Sequence, residues 1–586
     1  MKWHSQQNEE RTRDIYEQLP HYPKPPMVPL PDWSVMSSPE GMGIKSTALS
    51  RAVVKSLIGL TGFKKFYTEL PQHLEELLRK TNMRGAGLFA LINSATMALI
   101  DDPRSLTPAQ RAATLIVGAY RFYDDLMSGK LEPDRYKDQI LEMGQYPNLF
   151  STCLTIEGKS ARLFKSKCTD QITVIIRGRY FLLQVGHPGH DTSAGDLARA
   201  LQQLIDSVSP ETNSLSPGVI TGIAHPVQLR MFGKLLQNPV NKESFERIRH
   251  SFLTLALDVD DQPDSYAQAA RLTQAANFHN RWYHASLQIV VFGNAKAATF
   301  LNFNTYIDGN PMMRGSAEIQ KRAAAEALET QESHPLPPPT ELHWNIPQPL
   351  VERALRVARS VLDDQQPTFE FKDLGKKQYA QWGVPPVPTF MVLVEMAMKT
   401  LTARHVHIIQ YLSMSKYCCM NLANADATTP QVAAFTDYVS QDDFDKQEAR
   451  KLLQKAIESQ AEAYRRARKY LPPSKIISIF VTTRKGWQKL WVTAVLAAAV
   501  GFLKILGLYR GETMEVIASH PMIQPEIPIV GRPGIRLPYV RFFAFHYQIF
   551  DDKTVITFMP SPHWKTSNEK IFNSLREKVD VLRKIF

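Results

Sequence analysis

The composition is that of a folded protein, since 44% of the 586 residues are hydrophobic and 10% are aromatic. This much apolar surface exceeds what one core holds, so the length predicts two domains. The 69 Lys and Arg outnumber the 57 Asp and Glu, giving a formal charge of +12, but no aromatic-rich basic stripe marks a nucleic-acid site. Four cysteines without paired metal spacings exclude a disulfide framework and a zinc site, and they favour a reducing compartment.

The amino-terminal stretch is predicted to be an extended arm followed by helices. Residues 19–31 carry prolines too densely for a helix. Apolar residues then recur at helical spacing over residues 52–78 and 108–126, which predicts helices with one buried face. The start, Met1-Lys2-Trp3-His4, lacks both a secretory apolar core and the pattern of an amphipathic presequence. A targeting segment is therefore expected to be absent or to lie outside this numbering.

Strands are predicted next. β-Branched residues on both sides of Arg177-Gly178 indicate a hairpin over residues 171–183. Two helices and a second hairpin are predicted to follow, at 194–208, 242–257 and the paired runs 287–292 and 298–303. This second hairpin ends directly before Asn304.

A proline-rich segment at residues 334–339 breaks the pattern and is the predicted crossing between two halves. The second half repeats the style of the first. Its predicted helices are 348–362, 390–401, 447–469 and 570–585, and its predicted strands are 540–550 and 554–558. The alternation predicts an α/β protein of two halves, each a sheet covered by helices.

The longest uncharged apolar run covers residues 490–503 and is followed by Lys504. It is shorter than the roughly 20 residues that a membrane span needs. The sequence therefore favours a buried helix over a segment that dips into a membrane or binds a partner. No clear transmembrane span is expected, although a peripheral position near a membrane stays open.

The most informative segment is Asn304-Thr305-Tyr306-Ile307-Asp308-Gly309, which follows the second hairpin. When a hydroxyl attacks a thioester, a positioned base must take the hydroxyl proton, and histidine is the usual choice. The segment resembles the His-x-x-x-Asp-Gly pattern of CoA-dependent acyltransferases, with Asn304 in place of the histidine. A carboxamide has no basicity near neutral pH. Asp308 is interpreted as structural, shaping the turn beneath the site.

Several further segments resemble the carnitine/choline O-acyltransferase family in the same order and at similar separations. They are residues 110–131, 143–152, 177–181, 238–244 and Asn280-Arg281-Trp282-Tyr283. The chain is identified as a degenerate member of that family. The resemblance implies an α/β fold of two chloramphenicol-acetyltransferase-like domains, each a mixed β-sheet covered by helices. The expected units are residues 1–90, an arm and helices packing on the carboxy-terminal half, then 91–345 and 346–586.

The segment Lys372-Asp373-Leu374-Gly375-Lys376-Lys377 resembles the family's Gly-Lys-x-x-x-Lys-Lys, whose lysines meet coenzyme A phosphates. Lys372 and Lys376 are therefore candidates for a vestigial coenzyme A site. A solvated loop is an equal alternative, because Phe371 replaces the leading glycine. No cofactor is otherwise expected, and no metal site is expected.

Positions where the family keeps substrate chemistry are replaced here. Tyr411-Leu412-Ser413 stands for Tyr-Glu-Ser, and the Gly-Tyr-Gly strand becomes Phe542-Phe543-Ala544. The family's Gly-Arg-Thr, Asp-Arg-His-Leu-x-Gly-Leu and Ser-Thr-Ser segments correspond to residues 421–424, 502–508 and 525–528. Apolar replacements are expected to fill the pocket. Four other histidines have no motif context as a substitute base: His279, His284, His405 and His407.

The resemblance and the lost base together lead us to expect a pseudoenzyme that acts as a structural subunit. The expected setting is a mitochondrial assembly in the matrix or at the inner membrane, with peroxisomes as the alternative. Other protein subunits are the expected partners, touched by the proline arm, residues 490–503 and the carboxy-terminal helix. The alternatives are an active transferase with a non-carnitine acceptor and a sensor that binds acyl-CoA without turnover.

Overall fold

The computed structural model of the chain describes fourteen stretches, which we list once. They are residues 15–40, 44–82, 93–157, 160–210, 215–223, 225–328, 335–361, 367–420, 422–441, 443–508, 516–520, 530–533, 543–561 and 564–586.

The α-helices are bounded as follows: Ile15–Gln18, Trp33–Met36, Ala48–Thr61, Phe63–Asn82, Pro108–Met127, Ala194–Ser207, Gly218–Gly222, His225–Leu235, Pro239–Ile248, Tyr266–Ala275, Gly309–Ala325, Gln348–Val361, Lys376–Gln381, Pro386–Thr402, Pro430–Tyr438, Lys446–Ala467, Pro473–Thr483, Gly486–Ile505 and Asn568–Ile585. Short 3-10 turns cover Tyr146–Leu149, Phe278–Asn280 and Phe303–Thr305.

The strands are numbered in chain order: β1 Ser94–Ala98, β2 Arg135–Tyr136, β3 Gln139–Ile140, β4 Thr152–Glu157, β5 Ser160–Lys165, β6 Gln171–Ile176, β7 Arg179–Gln184, β8 Thr254–Asp258, β9 Leu287–Phe292, β10 Ala297–Asn302, β11 Thr340–Leu342, β12 Thr368–Phe371, β13 Ile408–Ser413, β14 Leu422–Asp426, β15 Val516–Ser519, β16 Val530–Pro533, β17 Phe543–Ile549 and β18 Thr554–Pro560.

The first half is built on an eight-stranded mixed sheet in the order β11-β7-β6-β8-β9-β10-β1-β16. The central strands β6, β8 and β9 run parallel, and the hairpin β9–β10 and its neighbour β1 are antiparallel. Helices Pro108–Met127 and Gly309–Ala325 pack against each other. Gly118 allows this contact, because a Cβ atom there would lie 2.5 Å from the Ile319 carbonyl oxygen.

The second half is built on a six-stranded mixed sheet in the order β12-β18-β17-β15-β13-β14. Strands β13, β15 and β17 run parallel. Helices Pro386–Thr402 and Asn568–Ile585 pack together beside this sheet, and their apolar residues share one core with its strands. Two mixed sheets, each covered by helices, confirm the predicted α/β class.

One strand crosses between the halves. β16 lies late in the chain, yet it pairs with β1 of the first sheet, placing Ala95 opposite Pro533 and Ala98 opposite Val530. At the amino end, helix Phe63–Asn82 contacts helix Pro473–Thr483 of the second half. The domain boundaries at residues 90 and 345 stay predictions.

The helix predicted over residues 242–257 is wrong. The structure has a helix that ends at Ile248 and then the central strand β8. All five residues of β8 are buried, because a parallel strand at the middle of a sheet is covered on both faces. A short run that is apolar on both faces cannot be told from a buried helix by periodicity alone.

The single helix expected over residues 52–78 is also divided. Gly62, with φ of 69°, caps helix Ala48–Thr61 in the left-handed region before the next helix begins at Phe63. Glycine adopts that conformation without the steric cost that a Cβ atom brings.

The expectation of a buried helix at residues 490–503 is wrong as well. The helix there is 20 residues long, Gly486–Ile505, because helical structure continues through a lysine near each end. Among the described helices it is the one long and apolar enough to cross a membrane, and only 11% of its most apolar stretch is buried.

Candidate functional site

The β9–β10 hairpin delivers the chain into the turn that holds Asn304. The turn begins where Asn302 accepts a hydrogen bond from the Asn304 backbone N–H through its side-chain oxygen, at 2.9 Å. The Asn302 side chain also donates to the Tyr283 carbonyl oxygen at 2.9 Å, and Thr305 Oγ1 lies 2.8 Å from Ser286 Oγ. These bonds tie the turn to the loop before β9, so the orientation of residue 304 is fixed by its surroundings.

The Asn304 side chain is buried, with 2% of its surface exposed. Its Oδ1 accepts a hydrogen bond from Asn93 Nδ2 at 2.7 Å, but within the described part of the chain its Nδ2 has no hydrogen-bond partner. A buried donor left in this state costs about 1–3 kcal/mol. The carboxamide can hold an acceptor oxygen through Nδ2, but it cannot take a proton near neutral pH.

Asp308 begins helix Gly309–Ala325 four residues further on. Its carboxylate accepts a hydrogen bond from the Gly309 N–H at 2.7 Å, and its backbone is extended, as an N-cap residue requires. Tyr306, between the two, takes a left-handed conformation with φ of 57°. Burial raises the pKa of the Asp308 carboxyl to about 6, although the Gly309 hydrogen bond opposes the shift.

Beyond Asp308 the first half meets the second. Asn310 Nδ2 donates to Ser415 Oγ at 3.2 Å, and the Ser415 carbonyl oxygen accepts from the Glu142 N–H at 2.6 Å. Ser415 Oγ also lies 2.8 Å from Ser413 Oγ at the end of β13. The turn at Asn304 is therefore connected to the second sheet through a polar junction.

Glu142 is a buried acid in this junction that sequence reasoning missed. Its Oε1 accepts a hydrogen bond from the Cys419 N–H at 3.1 Å. Burial, followed by the nearby Cys419 and more weakly Asp308, raises the pKa of Glu142 well above its ordinary value. Glu142 precedes the segment 143–152 quoted for the family resemblance, but nothing in a lone glutamate signals burial. Two carboxyl groups whose pKa values are both raised by burial thus lie near each other.

The two candidate coenzyme A lysines lie in the second half, around the start of helix Lys376–Gln381. Lys372 and Lys376 are both exposed, and Lys376 Nζ lies 3.5 Å from Asp551 Oδ1. The loop packs tightly on the β17–β18 turn, since a Cβ atom at Gly375 would lie 2.5 Å from the Asp551 carbonyl oxygen. The aspartate competes with any phosphate for Lys376, so a role in coenzyme A binding stays a prediction.

The other histidines named from the sequence have ordinary structural surroundings. His284 is buried, and its ring lies 5.3 Å from that of Phe232 and 5.5 Å from that of Trp282. His405 Nδ1 lies 2.7 Å from an oxygen of the buried Glu395. Two more are held near carboxylates or partly buried: His407 and His279. That none of them replaces the missing base stays a prediction.

The positions where polar substrate groups were expected to be lost have two different environments. Leu412 is buried in the core of the second half, and Tyr411 packs on a small apolar cluster with Ile517, Ala544 and Met559. The prediction that residues 502–508 fill a pocket is wrong. The segment lies at the end of the exposed helix, and only Leu503 is fully buried there. Residues 421, 525–528 and 542 lie outside the described residues.

Two groups of potential metal ligands occur among the described residues. Each brings three ligand atoms within 4.8 Å of one another: Asp124 with His187 and His190, and Glu75 with Cys418 and Cys419. In the first group His187 Nε2 lies 2.9 Å from an Asp124 oxygen. In the second the two sulfur atoms lie 3.4 Å apart and are not joined in a disulfide. Both cysteines are buried in the first core, as expected.

Comparison with known proteins bears on the family. The sequence model described as Choline/Carnitine o-acyltransferase matches residues 86–469. The mitochondrial carnitine O-acetyltransferase of Saccharomyces cerevisiae is 24% identical over 215 residues, covering 35% of this chain and 32% of the relative. The carnitine O-acetyltransferase of Columba livia is 21% identical over 368 residues, covering 60% and 58%. The peroxisomal carnitine O-octanoyltransferase of Bos taurus is 21% identical over 334 residues, covering 52% of each.

The family match covers more than half of the chain, so the protein belongs to the choline/carnitine O-acyltransferase family. The aligned segments span from about a third to under two thirds of these relatives. Among solved structures, trichothecene 15-O-acetyltransferase from Fusarium sporotrichioides aligns at 9% identity and a TM-score of 0.38, covering 85% of this chain and 94% of that chain.

Proposed function

We propose that this chain is a catalytically inactive acyltransferase-like protein that serves as a structural subunit of a large mitochondrial assembly. The observation that carries the proposal is the residue at the end of the β9–β10 hairpin. Asn304 is buried and held by Asn93, at the place where the resemblance puts the base. General-base assistance contributes about 10²- to 10⁴-fold to such reactions, and a carboxamide supplies none of it.

The acceptor side supports the same proposal. Leu412 and Ala544, at positions where the family is polar or carries glycine, are buried among apolar side chains. A transferase with a changed acceptor would keep its base while its acceptor residues diverged. In this chain both the base and the acceptor-side residues differ from the family, which is the pattern expected after a loss of catalysis. The candidate lysine Lys376 has an aspartate beside it, so coenzyme A is not a component of the proposal.

The structural role is supported by surfaces that a lone monomer has little reason to keep. The apolar helix Gly486–Ile505 is exposed over most of its length, and the chain carries a formal charge of +12. The setting we propose is an inner-membrane respiratory or ATP synthase complex or the mitochondrial ribosome. Relatives named as mitochondrial and as peroxisomal both occur, so peroxisomes are the alternative location.

A second candidate is an active CoA-dependent O- or N-acyltransferase with a non-carnitine acceptor. One observation favours it: burial raises the pKa of Asp308 to about 6, so this carboxylate is basic enough to assist proton removal at neutral pH. Asn304 Nδ2 would then hold the nucleophile, and an amine acceptor would need less help than a hydroxyl.

Activity measurements separate the two candidates. We expect purified protein to give no heat with coenzyme A in calorimetry and no loss of acetyl- or octanoyl-CoA by chromatography, with carnitine or with amines. The Lys372→Glu/Lys376→Glu double variant should behave like wild type, and Lys455→Glu, on an exposed helix face, is the matched control. Turnover abolished by Asn304→Ala or Asp308→Asn would establish the second candidate instead. Binding without turnover, lost in the lysine variant, would identify a sensor.

The Asn304→His variant tests whether the base is the only part of the catalytic site that has been lost. Because the acceptor side is apolar at Leu412 and Ala544, we expect restoring the imidazole to restore no transfer to carnitine. A gain of about 10²-fold or more, the range a general base supplies, would contradict this. It would mean that the cleft still binds both substrates and that only the base is missing.

The assembly role is tested by native purification from the organelle fraction, followed by mass analysis of co-migrating proteins. We expect the chain to run with a large complex in mitochondria and to remain there after a salt wash. A chain that runs alone as a monomer would remove the structural part of the proposal while leaving the activity result untouched.

A further inference from the structure

The apolar helix, Gly486–Ile505, has one face that packs on the protein and one face that is exposed to solvent. Val492 and Leu503, eleven residues apart and therefore on one stripe, are buried. Leu503 packs with Ile44 and Val54, the latter from helix Ala48–Thr61. This stripe fixes the helix lengthwise on the body of the protein.

The opposite face is apolar and open to solvent. Its large side chains are exposed by 85% at Trp487, 63% at Leu490, 56% at Trp491 and 86% at Ile505. Between them lie small residues on the same side, Ala494, Ala497 and Ala498, which are also exposed. Soluble monomers rarely keep a continuous apolar surface of this kind, and such surfaces mark binding sites for other molecules or for membranes.

The two chain segments that form this region carry charge of one sign, and the acid Glu40, which interacts with Arg51, lies just outside them. Residues 44–64 contain the four cations Lys45, Arg51, Lys55 and Lys64, and residues 473–508 contain five more, Lys475, Arg484, Lys485, Lys489 and Lys504. Neither segment contains an aspartate or a glutamate. These two segments include the apolar helix, the helix it packs on and the helix before it. Clustered cations beside an apolar helix attract anionic lipid headgroups.

From this juxtaposition we propose that the open face of the apolar helix docks in the plane of an anionic lipid membrane. Trp487, Leu490, Trp491 and Ile505 enter the boundary between headgroups and acyl chains, where tryptophan is favoured. Lys489 and Lys504 remain among the headgroups. This inference does not depend on whether the protein is catalytic.

The in-plane orientation follows from the packed stripe and the lysines. A crossing helix would have to leave Ile44 and Val54, exposing the stripe it now buries. Lys489 and Lys504 are fifteen residues apart, about 22 Å along a helix at 1.5 Å per residue. Because the hydrocarbon core is about 30 Å thick, a crossing helix would draw both cations into it. A helix lying in the interface keeps both the packing and the hydration.

The test is flotation of the full-length chain with vesicles of phosphatidylcholine alone or with about a third cardiolipin or phosphatidylserine. We expect flotation with the anionic vesicles, weakened by salt, and little with phosphatidylcholine alone. Leu490→Glu/Trp491→Glu should lower the bound fraction at least about tenfold, the effect of removing two large apolar side chains from the interface. Release by alkaline carbonate is expected of an in-plane helix.

The matched control is Val240→Glu, which places an acid on an apolar side chain of similar exposure, 44%, in the first turn of helix Pro239–Ile248. It should float like wild type, and circular dichroism should show both variants folded. Wild type that floats with neither vesicle, or a double variant that floats equally well, would overturn the proposal. So would resistance to carbonate, which indicates a crossing helix, or a dimer that the double variant converts to monomers without vesicle binding.

Discussion

Replacing Arg281 with methionine is expected to lower the free energy of unfolding by about 3–5 kcal/mol, since it breaks a buried ion pair by removing one partner. Both side chains of the Arg281–Asp258 pair are fully buried. The guanidinium donates to the two carboxylate oxygens at 3.0 and 2.7 Å and to the Thr273 carbonyl oxygen at 2.9 Å. Methionine fills much of the volume, but it leaves the Asp258 charge buried without its counter-ion.

Urea denaturation followed by tryptophan fluorescence measures the effect, because the neighbouring Trp282 is 2% exposed. The matched control is Arg583→Met, which removes an ion pair with Asp580 whose side chains are 46% and 66% exposed. We expect this change to cost less than about 1 kcal/mol. If both variants lowered the free energy of unfolding by the same small amount, the buried Arg281–Asp258 pair would not contribute to stability as expected.

The Asp308→Asn variant is expected to be more stable than wild type at pH 7.5 by about 1–3 kcal/mol and equal to it near pH 4. The carboxyl's pKa is raised from 3.8 to about 6, so the folded protein holds this proton more tightly than the unfolded chain does. Wild-type stability therefore falls as pH rises from about 4 to 6, by about 1.4 kcal/mol per pKa unit of difference. The side chain keeps some solvent contact, which reduces the effect.

Asparagine can still accept the Gly309 hydrogen bond, so the variant removes the charge and keeps the helix cap. Unfolding midpoints measured every half pH unit should show a flatter profile for the variant across pH 4–6. Asp580→Asn, at an exposed position, should leave the wild-type profile unchanged. A variant that is less stable than wild type at every pH would mean that the carboxylate's capping interaction outweighs its desolvation.

The sequence predicts the turn at Asn304 because two apolar runs, typical of the paired strands of a hairpin, come directly before it. The structure places β9 and β10 at residues 287–302, close to the predicted bounds. The Asn280-Arg281-Trp282-Tyr283 segment was recognised as a family feature, and the structure gives it a physical basis in the buried Arg281–Asp258 pair.

Other features depend on contacts that no local pattern encodes. The sequence pattern of the central strand β8 predicts a helix, because burial on both faces removes the alternation that identifies a strand. The exposure of the apolar helix and the burial of Glu142 depend on what packs against each. Strand β16 is only four residues long, and its partner β1 lies more than 400 positions earlier in the chain.

Strand β16 connects the two halves through backbone hydrogen bonds, in addition to the covalent connection along the chain. Ala95 and Ala98 of the first sheet face Pro533 and Val530, which belong to the second half by chain order. If the backbone were cut at the proline-rich crossing, the two fragments would therefore stay associated through the pairing of β16 with β1. Each half, made as a separate polypeptide, would lack either an edge strand or the sheet on which that strand belongs.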